Sequence, residues 1–318
     1  MKNPADVTVY NMVATPFKDD GSVDLDGYAE LLGIMADANI GVYLGSGGAG
    51  EGHALSLSEL RDLYRVGVET CKGKVPVAAN PREPRTAHQM LELATCAAEA
   101  GVDLVQLYSL DAGHGMKPTP KELDGYYRFL LDRLDCPIAI SVHAYYPYPV
   151  PPRFLAELCS DYPQIEAINV IMPSAYFLEV RDEMAAVGRE IRLYTSMMNF
   201  IEGLYAGSSG VQSAEPNLVP YTMRRLADAV LAGDSDTISE LFVFIYNLMR
   251  VVNRWAPSTA RWVKMGLRVM GKPGSNGVLR EPYVLPDEDQ LAEMRREFDR
   301  LGVEAMEAAS AAAARGRA

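Results

Sequence analysis

Short apolar runs rich in β-branched residues alternate with longer segments of helical spacing over the first two-thirds of the chain. Gln164–Ile171 is apolar enough for a buried strand, whereas Leu25–Ala38 carries apolar residues at the three- and four-residue spacing of an amphipathic helix. The pattern predicts eight strands, at Val7–Val13, Gly41–Leu44, Val75–Ala79, Leu104–Leu107, Ile138–Val142, Ile165–Val170, Ile191–Thr195 and Gly210–Gln212.

Helices are predicted between successive strands, and Ser58 is expected to cap the second helix. They lie at Leu25–Ala38, Ser58–Cys71, Thr86–Ala100, Pro120–Leu134, Pro152–Cys159, Ser174–Val187 and Ile201–Ala206. Repeated strand–helix alternation is typical of an α/β protein. An open doubly wound sheet would alternate in the same way, but eight units favour a closed (β/α)8 TIM barrel.

Only helical patterns follow Pro216. These helices are predicted at Tyr221–Leu231, Thr237–Arg254, Thr259–Met270 and Asp287–Ala314. We therefore expect two regions: a (β/α)8 barrel over residues 1–220, and C-terminal helices over residues 221–318 that pack on the barrel.

The composition is that of an ordinary globular protein, with 48% hydrophobic and 23% charged residues among 318. A net charge of −12 disfavours nucleic acid, because phosphate binding needs clustered Lys and Arg. We expect no membrane partner, because no apolar run reaches spanning length and the N-terminus lacks an apolar signal core. The expected location is the cytoplasm, where the four cysteines would be free thiols.

Five groups of motifs occur in order along the chain. They are Ala14–Phe17 with Asp20–Asp24, Gly50-Glu51 with Leu55–Glu59, Pro76–Ala79, Gly210–Ala214 with Asn217 and Pro220, and Lys264 with Gly271, Val278–Arg280 and Pro282. From about Val7 to about Phe298, the chain resembles the dihydrodipicolinate synthase and N-acetylneuraminate lyase family. The resemblance implies a barrel enzyme that acts as a lyase or synthase on 2-oxo acids such as pyruvate, and an assembly of two or four copies.

The resemblance also implies that several catalytic positions have changed. In this family a lysine on the sixth strand forms a Schiff base with the substrate carbonyl. Asn169 stands at that position, and an amide nitrogen cannot form an imine. Ser141 stands where the family has a proton-relaying tyrosine, and Gly48 and Ala49 replace its pair of hydroxyl residues. The chain is thus identified as a divergent member without the Schiff-base lysine.

Three of the four histidines, His53, His114 and His143, follow or end predicted strands. In a TIM barrel the active site lies at the carboxyl ends of the strands, and a histidine that titrates near neutral pH suits acid–base catalysis or metal binding. Each could instead be a polar loop residue that is hydrogen-bonded to the backbone. No short metal-ligand motif is present, so we expect neither a metal nor a cofactor.

The candidate site combines these positions. The expected catalytic residues are His143, His114, Asn169 and Ser141, and the expected substrate-binding residues are Ser46, Gly47, Gly48, Ala49, Glu51, His53, Tyr108, Tyr145 and Glu215. The two catalytic histidines would serve as acid and base. The amide N–H₂ of Asn169 would donate to the substrate oxygen, and backbone N–H groups of the Gly45–Gly50 loop would hold an anionic group.

Four cations are further candidates, and one of them, Lys117 in the loop after the fourth strand, could carry a relocated Schiff base. Arg82 or Arg85 could clamp a carboxylate or form a surface ion pair, and Lys264 is interpreted as structural. The sequence predicts a lyase or hydro-lyase that acts on a small carbonyl or carboxylate substrate without a Schiff base. The alternatives are an inactive member that binds a metabolite or a partner protein, and a metal-dependent aldolase.

Overall fold

Eight parallel strands close into a barrel in which each strand pairs with the next in sequence and β8 pairs with β1. The computed structural model describes residues 6–79, 81–255, 259–274 and 279–316. The strands are β1 (Thr8–Met12), β2 (Gly41–Leu44), β3 (Val77–Ala79), β4 (Leu104–Tyr108), β5 (Ile138–His143), β6 (Ile165–Ile171), β7 (Arg192–Ser196) and β8 (Gly210–Ser213). The predicted (β/α)8 barrel is therefore confirmed.

Helices α1 to α8 follow the eight strands, and α9 to α12 extend the chain beyond them. Their bounds are α1 (Leu25–Asp37), α2 (Leu57–Cys71), α3 (Ala87–Glu99), α4 (Pro120–Leu131), α5 (Pro152–Asp161), α6 (Ser174–Met184), α7 (Phe200–Tyr205), α8 (Pro220–Ala232), α9 (Ser235–Val252), α10 (Thr259–Val269), α11 (Glu288–Leu301) and α12 (Val303–Arg315). Within the described ranges, no helix combines the length and apolarity needed to cross a bilayer.

Two helix predictions are wrong in detail. The single helix expected over Asp287–Ala314 is two helices, because Gly302 has a φ of +68° and ends α11 in the left-handed conformation. Ser56 rather than Ser58 caps α2. The Ser56 Oγ accepts from the Glu59 N–H, and the Glu59 carboxylate accepts from the Ser56 N–H at 2.8 Å. This reciprocal capping box selects the serine that lies three residues before the glutamate.

The barrel interior is layered by residue size and polarity. Tyr10 packs edge-on against Tyr43 and Tyr194, with ring centroids 4.7 and 5.3 Å apart. Smaller residues, including Ala139 and Ala167, share this apolar layer. Two residues further along each strand, towards its carboxyl end, the inward side chains include polar ones such as Ser141 and Asn169. The apolar lower layer therefore supports a polar floor at the carboxyl end of the barrel.

The register between β5 and β6 contains one irregularity that sets the position of Asn169. Ile138 pairs with Ile165, but Ala139 pairs with Ala167, so β6 has one extra residue at this point. After this step Asn169 lies opposite Ser141. The shift brings two inward polar side chains to the same level of the barrel.

The C-terminal helices are tied to the barrel by apolar packing and by a buried carboxylate. One apolar cluster includes residues of the strands and of α8 to α12. On α12, the Glu307 carboxylate accepts from the Tyr221 N–H at 2.9 Å, the Thr222 N–H at 3.0 Å and the Thr222 hydroxyl at 2.7 Å. These are first-turn donors of α8, which lack partners within their own helix. The boundary between residues 220 and 221 stays a prediction.

Glu307→Ala should destabilise the protein because it leaves these buried donors of α8 unpaired. We expect the free energy of unfolding to fall by about 2 kcal/mol, the penalty typical of an unsatisfied buried group. Glu304→Ala, an exposed position on the same helix, is the control. Urea unfolding followed by circular dichroism measures both variants. An equal effect of the two substitutions would contradict the role assigned to Glu307.

Candidate functional site

Asn169 lies at the centre of the polar floor and is completely buried. Its Nδ2 donates to the Tyr43 hydroxyl oxygen at 2.9 Å and to Gln106 Oε1. Both amide hydrogens are therefore used inside the protein, and Oδ1 is left as an acceptor. These two hydrogen bonds do not favour the expectation that the Asn169 amide N–H₂ donates to a substrate oxygen, which stays a prediction. The side chain offers a ligand an oxygen instead.

A group of polar atoms around Asn169 is buried without a hydrogen-bond partner among the described residues. The group comprises Asn169 Oδ1, Ser141 Oγ, His143 Nε2, the Tyr146 hydroxyl and Gln212 Nε2. Buried polar atoms are paired in the great majority of cases. Unpaired donors and acceptors that converge at the carboxyl ends of barrel strands are typical of a site that binds a polar ligand.

His143 ends β5 on the same face as Ser141, two residues further along the strand. Three tyrosine rings surround its half-buried imidazole: Tyr108 at 5.3 Å, Tyr145 at 6.0 Å and Tyr146 at 6.1 Å between centroids. Burial lowers the pKa of His143 to about 4, so the imidazole is neutral at pH 7. Tyr108 is buried and Tyr145 is exposed, so the two rings wall the histidine on its inner and outer sides.

The Gly45–Gly50 loop after β2 is held by its own hydrogen bonds. Ser46 Oγ accepts from the Gly50 N–H at 2.9 Å, and the Thr15 hydroxyl donates to the Gly50 carbonyl at 2.7 Å. A side chain at position 50 would meet the Ser46 nitrogen at 2.8 Å, so this close approach requires glycine. Ser46 thus shapes the loop, while Gly47, Gly48 and Ala49 form its turn.

Glu51 was expected to bind substrate, but the structure places it in a buried ion pair with Lys264 on α10. Both side chains are almost completely buried, and the ammonium also lies 4.0 Å from the centroid of the Phe17 ring. Burial raises the pKa of Glu51 and lowers that of Lys264 to about 8. The carboxylate of Glu51 is thus paired with Lys264, and substrate binding by Glu51 stays a prediction.

The other candidate residues make contacts that do not involve the polar floor. His53 is exposed, contacts the Gly47 carbonyl through Nδ1 at 3.1 Å and packs edge-on against Tyr283. His114 is exposed in the loop after β4 with a φ of +51°, and no described contact joins it to His143. Glu215 is buried, and its carboxylate accepts from the neighbouring Ala214 N–H at 3.0 Å. The acid–base pairing of His114 with His143 therefore stays a prediction that no described contact supports.

The loop after β3 brings a carboxyl group to the glycine loop that sequence reasoning did not include among the candidate residues. The Glu83 carboxylate reaches the glycine loop, where a Cβ added to Gly47 would lie 2.7 Å from its Oε2. Although the side chain as a whole is exposed, desolvation of its carboxyl and the nearby Asp111 charge raise the pKa of Glu83. The signal in the sequence was its position just after a strand, which the neighbouring arginines obscured.

Metal binding finds no support in the described side chains. Within the four described ranges, no group of three His, Cys, Asp or Glu residues is arranged to hold a metal ion.

These features define a TIM-barrel protein with a polar site at the carboxyl ends of its strands. A sequence profile of the Dihydrodipicolinate synthetase family matches residues 7–300. The chain belongs to this family, whose members named among its relatives are lyase-type enzymes. Function of the lyase or aldolase type is therefore supported at the level of the family.

Individual relatives are distant but cover nearly the whole chain. The chain is 26% identical over 295 residues to a 4-hydroxy-tetrahydrodipicolinate synthase of Chlorobium phaeovibrioides, covering 90% of this chain and 93% of the relative. It is 25% identical over 309 residues to a probable 5-dehydro-4-deoxyglucarate dehydratase of Acidovorax ebreus, covering 94% and 98%.

A solved structure confirms the same fold. A prophage protein of the dihydrodipicolinic acid synthase family from E. coli K12, in complex with pyruvate, superposes with a TM-score of 0.83 at 19% identity, covering 93% of this chain and 99% of that one.

Removing Lys264 should be strongly destabilising, because it leaves the Glu51 carboxylate buried without a counter-ion. We expect Lys264→Met to lower the free energy of unfolding by about 3–5 kcal/mol, as for other broken buried pairs. The double variant Glu51→Gln/Lys264→Met should show a clearly smaller decrease in the free energy of unfolding, because no unpaired charge stays buried. Urea unfolding followed by circular dichroism measures both, and equal losses in the two proteins would contradict the pairing.

His143 should remain neutral through physiological pH. Its folded pKa of about 4 lies below the ordinary value of 6.5, so the unfolded chain binds this proton more readily. The resulting contribution to stability is present above pH 6.5 and is lost as the pH falls towards 4. Nitrogen-15 NMR of the imidazole should show constant shifts from pH 8 to about pH 5.5. A titration midpoint near 6.5 would contradict the buried environment.

Proposed function

We propose that this protein is a lyase of the hydro-lyase type that acts on a small hydroxylated carbonyl compound without a covalent imine. The observation that carries the proposal is Asn169 on β6, at the centre of the polar floor. An amide nitrogen is not a nucleophile towards a carbonyl, and both of its hydrogens are held by Tyr43 and Gln106. The chemistry must then come from acid–base catalysis by the side chains around it.

His143 is the proposed base. Its Nε2 is buried and unpaired, and a neutral imidazole can accept a proton from the carbon next to the substrate carbonyl. A low pKa makes His143 a weak base in the resting site. The negative enolate that forms beside it offsets this, because an opposite charge stabilises the imidazolium.

The enolate oxygen needs hydrogen-bond donors, and the polar floor contains them. Ser141 Oγ, Gln212 Nε2 and the Tyr146 hydroxyl are buried, unpaired groups that can donate. Asn169 Oδ1 accepts the hydrogen of a substrate hydroxyl. In the second step, the enolate electrons expel the β-hydroxyl, which takes the proton carried by His143 and leaves as water. As the carbon–oxygen bond breaks, the enolate oxygen returns to a carbonyl and a carbon–carbon double bond forms between the α and β carbons, so the product is an α,β-unsaturated carbonyl compound.

The remaining candidate residues have surrounding roles in this proposal. Tyr108 and Tyr145 wall the imidazole, and the loop formed by Ser46, Gly47, Gly48 and Ala49 closes the side of the site near Glu83. The relative named as a dehydratase supports the choice of water loss over other lyase reactions. Assembly into dimers or tetramers and a cytoplasmic location stay predictions.

The absence of an imine can be tested by reductive trapping. Treatment with borohydride in the presence of pyruvamide or of pyruvate should leave the intact-protein mass unchanged. Trapping with a family member that has the sixth-strand lysine serves as the positive control. An added mass on any lysine of this chain would overturn the proposed mechanism.

The role of His143 can be tested with deuterium exchange at the carbon next to the carbonyl. Proton NMR in deuterium oxide would follow exchange into dihydroxyacetone, pyruvamide and pyruvate. His143→Gln should slow exchange by about a hundredfold or more, the usual contribution of a general base. His88→Gln, an exposed histidine on α3, is the matched control and should keep the wild-type rate. Exchange that is absent, or unaffected by His143→Gln, would contradict the proposal.

A further inference from the structure

Glu83 places a carboxyl group directly on the loop that would otherwise suit an anion. Its Oε2 lies 2.7 Å from the position that a Cβ on Gly47 would take, so the absence of a side chain at position 47 gives the carboxylate room. The raised pKa of Glu83 agrees with a carboxyl crowded by the loop and by Asp111. A second carboxylate at the same place would face like-charge repulsion.

Three cations near this loop each contact another protein group. Arg82 Nη1 donates to the Leu55 carbonyl at 3.1 Å, and Arg85 Nη1 lies 3.9 Å from an Asp111 carboxylate oxygen. Lys264 is paired with Glu51 beneath the loop. None of these three described contacts directs a positive charge to the polar floor.

The floor itself consists of uncharged groups. Ser141 and Asn169 are completely buried, with Ser141 Oγ and Asn169 Oδ1 unpaired. His143 is neutral at pH 7. Burying a carboxylate among neutral groups costs free energy unless a cation or several aligned donors accompany it, whereas hydroxyl, carbonyl and amide groups match these donors and acceptors.

We propose that the site selects an uncharged carbonyl compound rather than a 2-oxo acid, and that Glu83 is the specificity-determining residue that excludes the carboxylate. The inference rests on the site of the proposed function and names its substrate class. Glu83 accepts a hydroxyl or amide hydrogen of the substrate at the Gly47 loop. A carboxylate at this position repels it.

Pyruvamide and pyruvate form a suitable probe pair, because they differ in charge but hardly in size. Titration calorimetry at pH 7.5 should show that the wild-type protein binds pyruvamide roughly tenfold or more tightly than pyruvate, given the repulsion between nearby charges at a partly buried site. Glu83→Gln should reduce this preference by a similar factor, mainly by increasing the affinity for pyruvate. Glu92→Gln, which removes the same charge from the exposed face of α3, should leave the preference unchanged.

The outcomes separate this inference from the proposed mechanism. Tighter binding of pyruvate than of pyruvamide by the wild type, no binding of pyruvamide, or an unchanged preference in Glu83→Gln would overturn the inference. Circular dichroism of Glu83→Gln confirms that the variant is folded. A pyruvamide preference without His143-dependent exchange would refute the mechanism but leave the specificity assignment standing. His143-dependent exchange together with a preference for pyruvate would support the mechanism and refute the specificity assignment.

Discussion

The hydrogen bonds from Asn169 to Tyr43 and Gln106 are the constraint on which the site depends. They fix an amide at the inward position of β6 and determine that its oxygen, not its nitrogen, is offered to a ligand. The ring of Tyr43 belongs to the apolar layer below, where it packs against Tyr10. The polar floor is therefore anchored in the barrel core, which makes the side chains above it rigid enough for directed hydrogen bonding.

The groups that maintain the fold are separate from those proposed to carry the chemistry. Glu51 and Lys264 belong to motifs that resemble the family, yet they pair with each other below the glycine loop. Lys264 also contacts Phe17, from a third motif. A chain can thus retain the residues that hold the loop and the C-terminal helices in place while the reacting positions change. Family membership and the altered site that we propose are therefore compatible.

Much of the fold could be predicted from the sequence, because strand and helix periodicities are local properties. The eight strands could be predicted from apolar runs. The end of α11 at Gly302 could not, because the apolar stripe of the helix continues past this residue. The arrangement of the site was harder to predict from the sequence. Sequence placed Ser141, His143 and Asn169 at strand ends, but the direction of the Asn169 amide depends on Tyr43, 126 positions away. The contact of Glu83 with Gly47 depends on how two loops fold towards each other, which no short pattern encodes.

The central claim is that a carbonyl compound is held in this barrel by hydrogen bonds and not by a bond to nitrogen. Carbon-13 NMR of pyruvamide labelled at its ketone carbon, bound to the protein, reports this directly. We predict that the bound resonance stays in the ketone region, displaced only as hydrogen bonding to the polar floor requires. A resonance at the position of a protonated imine carbon would contradict the account.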